Sequence, residues 1–385
     1  MHFFFPFNLV FFLIFSIIPS IAWSYTNFIS YGYTSCTACH YNPYGGGPLT
    51  DYGRALYATT VAGKLFPASE AALTDSSGFF FTANEKTLPD FIRPSIDYRS
   101  LYWTSNFQER NEEKVDLMMN LEGNVVLQFN PKVYFSSSWS VYPDDENTNI
   151  ERDKFISREN YLSYILNDDY RVQAGLFDTV FGLRIPDHTA LSKNVTGLKQ
   201  NDQTLGASVH LKTGKIEGGG HLFLGSPHEE DFNRQKGLSF MGEFRVLDFV
   251  TLGGSGLYSS SDFLQKTAMA IHTRAGFSKG SSLIVETGYV KYTPQSNKSD
   301  ETNTYVFTQG LIRMFRGMHF LSTFEFNTQD SESNQGTTYK YGPGLLWFPM
   351  QRLEIRTELF NSRAVNSTSV NKDNWNWFTN LHISL

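Results

Sequence analysis

The chain of 385 residues holds only two cysteines, three positions apart, which excludes a disulfide framework. Net charge is small. With 32 Lys+Arg against 38 Asp+Glu it comes to −6, which excludes a nucleic-acid binder working through a large basic face. Beyond residue 24 no apolar run nears the roughly 20 residues of a membrane helix, and mean hydropathy is −0.30. A multi-helix membrane protein is therefore excluded. HExxH does not occur, and no catalytic residues of a hydrolase can be assigned. Aromatics, by contrast, are abundant at 16%, with 34 Phe and 20 Tyr.

The first 24 residues read as a sorting signal. The run from Phe3 to Ile18 is almost wholly apolar, Pro19 and Ser20 break it, and Ala22-Trp23-Ser24 presents small residues for cleavage after Ser24. At about 16 residues the run is short for an anchor. Residues 25–93 then form a small segment around Cys36-Thr37-Ala38-Cys39-His40. C-x-x-C-H is the attachment signature of haem c: two thioethers fix the porphyrin, and the adjacent His is placed to ligate iron. A redox CxxC would sit near a βαβ pattern, and none is visible. A zinc half-site would need further ligands, yet no Cys or His lies between Tyr41 and Asp187. The motif therefore predicts one covalent haem c on Cys36 and Cys39, with His40 as proximal ligand. After the glycine run Gly45–Gly47, a short helix is expected with Leu49, Tyr52 and Leu56 on one face. Its Arg54 is a candidate partner for a haem propionate.

From residue 94 to 385 apolar and polar residues alternate in segments of roughly ten, separated by turn residues. The clearest segment sets Leu117, Met119, Leu121, Val125, Leu127 and Phe129 against Asp116, Asn120, Glu122, Asn124 and Gln128. Short connections such as Asn130-Pro131, Thr213-Gly214 and Arg316-Gly317 alternate with long polar ones. That pattern predicts an all-β fold: a transmembrane antiparallel β-barrel of about sixteen strands in the outer membrane, with short periplasmic turns and long outer loops. The longest connection, about 178–202, contains Arg184, Asp187 and His188. In porins of this size the third outer loop often folds inward, so these three are candidates for a pore constriction. Strand phase turns His210, His221, His272, His319 and His382 inward. Of these, His210, His319 and His382 lie near the predicted periplasmic end, where the haem segment enters, and are the candidate distal ligands.

A signal peptide, one CxxCH, the aromatic-Gly-Arg of Tyr52-Gly53-Arg54, and then a porin-sized barrel resemble, in that order, the fused outer-membrane cytochrome–porins of iron-oxidising bacteria. The resemblance implies electron transfer across the outer membrane, between an extracellular donor or acceptor, with Fe(II) a candidate, and a periplasmic carrier. The alternative is a diffusion porin whose haem segment is a periplasmic plug, sensor or docking module. Outer-membrane lipid is an expected partner under both readings, and nucleic acid under neither.

Overall fold

The computed structural model describes residues 26–65, 89, 91–107, 112–141, 155–185, 187, 189–199, 202–296, 299–329, 336–365 and 373–384. The expected signal peptide and His188 lie outside them. Sixteen antiparallel strands close into one barrel: β1 (Ile92–Ser105), β2 (Glu113–Asn130), β3 (Val133–Val141), β4 (Phe155–Ile165), β5 (Tyr170–Phe177), β6 (Thr204–Thr213), β7 (Ile216–Phe223) and β8 (Lys236–Leu247), then β9 (Val250–Ser260), β10 (Leu264–Ser278), β11 (Ser281–Pro294), β12 (Glu301–Phe315), β13 (Met318–Gln329), β14 (Gly336–Met350), β15 (Leu353–Val365) and β16 (Asn374–Ser384). Each strand pairs with its sequence neighbours. The seam joins β1 to β16 from Asp97↔Ser384 to Thr104↔Trp377. No helix among the described residues is long and apolar enough to cross a membrane.

Local chemistry sets the short turns. The Asn130 side chain accepts from the backbone N–H groups of Lys132 (2.8 Å) and Val133 (3.0 Å), and Asn167 does the same for Asp169 and Tyr170. Such side-chain mimicry of a backbone turn is what Asn supplies. Gly317 takes a left-handed φ of 82° where it packs on the backbone of Gly63, a place that no Cβ fits.

Side chains alternate along each strand, and their polarity is inverted relative to a water-soluble protein. On β8, Leu238, Phe240 and Phe244 are exposed outside, while Ser239 and Glu243 are buried inside. On β13, Phe320 and Phe324 face out and His319, Thr323 and Glu325 face in. An apolar belt around a polar lumen suits an apolar medium, and closure leaves no unpaired sheet edge within it.

One irregularity departs from the period-two expectation. Between Arg99 and Ser100 of β1 the register shifts: Arg99 faces Asn120, Ser100 faces Met118, and Met119 is the extra residue of a bulge. Leu117 consequently lies opposite Leu101 on the lumen face, not on the face of Leu121, which is exposed outside. A bulge re-aims side chains in this way.

The segment 26–65 lies inside the lumen at the short-turn end and circles the wall. Its first turn, Thr26–Tyr31, meets β10 and β11, and Gly280 N–H donates to the Ser30 carbonyl (3.2 Å). At the far end, Gly63 N–H donates to Phe348 O (2.7 Å) and Leu65 N–H to Pro349 O (3.1 Å). Arg316 donates to the carbonyls of Ala58, Thr59 and Ala62, at 3.3, 2.6 and 2.8 Å. These carbonyls end a helix and have no further helical partners. Replacing Arg316 with Ala is expected to leave the barrel intact. The amides of 61–65 should then exchange hydrogen about ten- to a hundredfold faster, matching the loss of a charged hydrogen bond worth about 1.5–3 kcal/mol. Unchanged exchange in this stretch would show that Arg316 does not hold the segment.

Candidate functional site

A tight turn over Cys36–Ala38 sets the motif. The Cys36 carbonyl accepts from the N–H groups of Cys39 (3.1 Å) and His40 (2.9 Å), bringing both thiols and the imidazole into one turn. The chain then reverses through Gly45, Gly46 and Gly47, with φ of 86°, 76° and 60°. Three successive left-handed residues are open to glycine alone. The return pairs Tyr41 N–H with Pro48 O (3.3 Å) and Thr50 N–H with Cys39 O (2.8 Å). Thr50 then caps helix α1 (Asp51–Leu56) by accepting from Gly53 N–H at 3.1 Å. Gly53 and Leu56 form the buried face of α1, and Tyr52 is exposed at 55%. The sequence pattern puts Tyr52 on one face with Leu56, but only Leu56 is buried. The backbone of Cys39 takes that side instead, and it needs Gly53 beneath it.

Barrel side chains hold this turn from all round. Ser35 donates to Glu217 of β7 (2.7 Å), and Arg274 of β10 donates to Thr34 O (2.8 Å). Asn42 donates to Glu159 of β4 (3.3 Å), while Arg171 and Tyr134 both donate to Tyr41 O. On the opposite wall Arg93 grips Asp51 through two bonds of 3.0 Å, and Arg54 donates to Pro94 O at 3.1 Å.

The long connection 178–203 folds into the lumen from the other end. Gly182 N–H donates to Ser255 Oγ (3.0 Å), Leu183 N–H to Glu286, and Leu191 N–H, at the start of helix α2 (Leu191–Thr196), to Glu325. Arg184 pairs with Asp178 and with Glu159 (3.3 Å). Asp187 lies 3.7 Å from both Lys340 and Arg356. Burial alone would raise the Asp187 pKa. The two cations outweigh it and hold the carboxyl well below the ordinary range. Loop and segment meet at Arg184: a Cβ on Gly46 would fall 2.8 Å from its guanidinium.

Between segment, loop and wall lies a cavity of about 840 Å³, within the range of roughly 300–1,000 Å³ usual for cofactor sites. Cys36, Cys39, His40 and Arg54 line it, as do Arg184 and Asp187 of the loop. Many strands contribute to the rest of its wall, and on β1, β15 and β16 Leu101, Trp103, Phe360 and Phe378 face inward among charged neighbours such as Asp97, Arg99 and Glu354. Other inward apolar residues, such as Leu257, Ile284 and Phe307, are buried against the loop, whereas these four border the cavity. Phe360 and Phe378 touch edge-on at 5.8 Å, and Lys340 and Arg356 lie over their outer rings. The sequence offers a signal for half of this patch. Continuing the alternation of Asp97 and Arg99 upward leads to Leu101 and Trp103.

Burial pushes the Cys36 thiol up to about 12, assisted by Glu217, and the Cys39 thiol up to about 11. Neither is an activated thiolate, and both are free of disulfide. His40 is pushed down to about 4, by burial and then by Arg184, so its imidazole is neutral near pH 7 and keeps a lone pair. Its Nδ1 is buried with no hydrogen-bond partner. No group of three or more His, Cys, Asp or Glu among the described residues is placed to hold a metal ion. Two thiols outside any disulfide, an imidazole with one unpartnered nitrogen and apolar side chains in the cavity wall suit a covalently held porphyrin.

The distal candidates fare differently. His210 pairs with Glu217 (3.1 Å) and His319 with Tyr31 (3.2 Å), and neither lines the cavity. His382 does line it, but its Nε2 faces Asp97 at 3.1 Å and its Nδ1 faces Glu354 at 3.5 Å. All three hold carboxylates or the segment in place.

No protein-family model and no curated sequence matches the chain. Solved structures match in fold. OmpT, an outer membrane protein of Vibrio cholerae, superposes with a TM-score of 0.59 at 8% identity, over 76% of this chain and 99% of that one. The outer membrane channel DcaP of Acinetobacter baumannii gives 0.57 at 10%, over 76% and 97%. An anion-selective porin from Comamonas acidovorans gives 0.58 at 8%, over 76% and 99%. The chain has the closed sixteen-strand barrel fold of outer-membrane porins.

Proposed function

We propose that this chain is an outer-membrane barrel that carries one haem c in its lumen and passes electrons between an external donor or acceptor and a periplasmic carrier. One observation carries the reading. The Cys36–His40 turn lines a cavity that is also bordered by the wall side chains Leu101, Trp103, Phe360 and Phe378, whereas other inward apolar wall residues such as Leu257 and Ile284 are buried against the loop. Cys36 and Cys39 would hold the group, His40 would ligate its iron, and Arg54 and Arg99 are among the cations lining the same cavity that could meet propionates. Bound there, haem supplies one-electron chemistry. The protein's own part is to exclude water and fix position. One porphyrin is far shorter than a bilayer core of about 30 Å, so a partner has to reach toward it from the loop side. Fe(II) is one candidate donor.

A second reading rests on the fold. Matched structures include channels, and a diffusion porin with segment 26–65 as a plug would use the same barrel. Here the inward loop sets the aperture. Asp187 is depressed in the folded protein, so its hold on Lys340 and Arg356 is complete above the ordinary Asp value of about 4 and fails only as pH falls through the lower one.

In intact cells that mature c-type cytochromes, a bulky impermeant reductant is expected to develop the haem α-band. The double variant C36S/C39S should lose that band altogether. A band that only a permeant reductant develops would favour the porin reading, and no band at all would overturn the haem assignment. In planar bilayers the wild-type conductance should be small and flat from pH 7 to about 4, rising only as pH falls through the depressed Asp187 value. D187N should raise it several-fold at pH 7, with the two converging at low pH. A large wild-type conductance, unaffected by D187N, would mean that the loop does not gate the lumen.

A further inference from the structure

We infer that Met119 supplies the second axial ligand to the iron, an inference that rests on the haem reading above. The cavity offers few soft or imidazole donors besides the Cys36–His40 turn: His382, Met119 and Met241 among the described residues. Both ring nitrogens of His382 face carboxylates, Asp97 and Glu354, so neither has a lone pair turned to the cavity. Met241 stands in the sector the segment covers. Its cross-strand neighbour Gly219 packs beneath the Tyr44 hydroxyl, and nearby Glu217 and Glu243 act on Cys36. That sector is where a thioether would be made.

Met119 is placed otherwise. Regular alternation would send it out with Leu121, but the bulge in β2 makes it the unpaired residue and delivers it to the lumen. Its sulfur lies 3.0 Å from Nδ2 of Asn380, which also lines the cavity, so the thioether is held in one orientation. Imidazole and thioether both line the one cavity, His40 from the segment and Met119 from the wall strand β2. The flanking apolar side chains Leu101, Trp103 and Phe378 suit the face of a macrocycle. Thioether ligation raises a haem potential relative to bis-imidazole ligation.

The test is an optical and potentiometric comparison of the purified ferric holoprotein with M119L, M241L and M119H, each checked for folding by heat-modifiable migration. Wild type and M241L are expected to show the far-red sulfur-to-iron charge-transfer band. M119L should lose that band completely and turn high-spin, and M119H should be low-spin without it and at a lower potential. A wild-type spectrum without the band, or a band that survives in M119L, would overturn the inference. So would loss of the band in M241L alone. A protein with no haem α-band in any form would instead sink the haem reading itself, and the ligand assignment with it.

Discussion

Pairing of backbone polar groups governs this molecule. An apolar surrounding cannot satisfy a free N–H or C=O, so the sheet has to close, and β1 meets β16 along a full ladder. Closure in turn inverts the side-chain pattern: Leu, Phe and Ile go outward, and Ser, Glu, His and Arg line the lumen. Whatever enters that lumen meets hydrogen-bonding groups and charge, with apolar side chains only where they are covered in turn. Segment 26–65 and loop 178–203 use both: Phe181 and Val195 of the loop pack on Leu257 and Val290, and Tyr41 of the segment on Val126 and Tyr134. Glu159, Glu217, Glu286 and Glu325 are wall carboxylates, and each accepts from one of these two elements. The apolar patch of Leu101, Trp103, Phe360 and Phe378 differs from the apolar residues beneath loop and segment in that it borders the cavity.

The strands were legible because period-two alternation and turn chemistry agree along most of the chain. The short connections expected at Asn130-Pro131, Thr213-Gly214 and Arg316-Gly317 fall at the junctions of β2 with β3, β6 with β7 and β12 with β13. Inward phase was legible for His210, His221, His272 and His319, all buried within the lumen. What each histidine faces was not legible, because partners arrive from strands far off in sequence. His319 meets Tyr31 across 288 positions. The bulge was invisible for another reason. Leu117-Met118-Met119-Asn120 contains no Gly to announce it, and one skipped residue moves Leu117 and Met119 to the opposite face.

The third loop shows how far composition leads. Arg184 and Asp187 stood out as charged residues in a long mixed connection, and both lie in the lumen, each held by opposite charges. Their partners Glu159, Lys340 and Arg356 sit on three different strands, and no local pattern ties them to the loop. The Gly45–Gly47 run is a similar case. Its composition announces an unusual turn, whereas its reason, room for Arg184 and Glu159, appears only when loop and segment share the lumen.

Cys36 and Cys39 lie behind a ring of contacts that runs from β1 round to β14, and the segment bearing them precedes the first strand of the barrel in the chain. On the haem reading this fixes an order of assembly. An enzyme that joins two thioethers has to see both thiols, and once β1 has met β16 it no longer can. Haem attachment must then come before membrane insertion, on a chain that is still open, and the barrel folds around cargo already in place. A chain that misses this step has no later opportunity to be loaded.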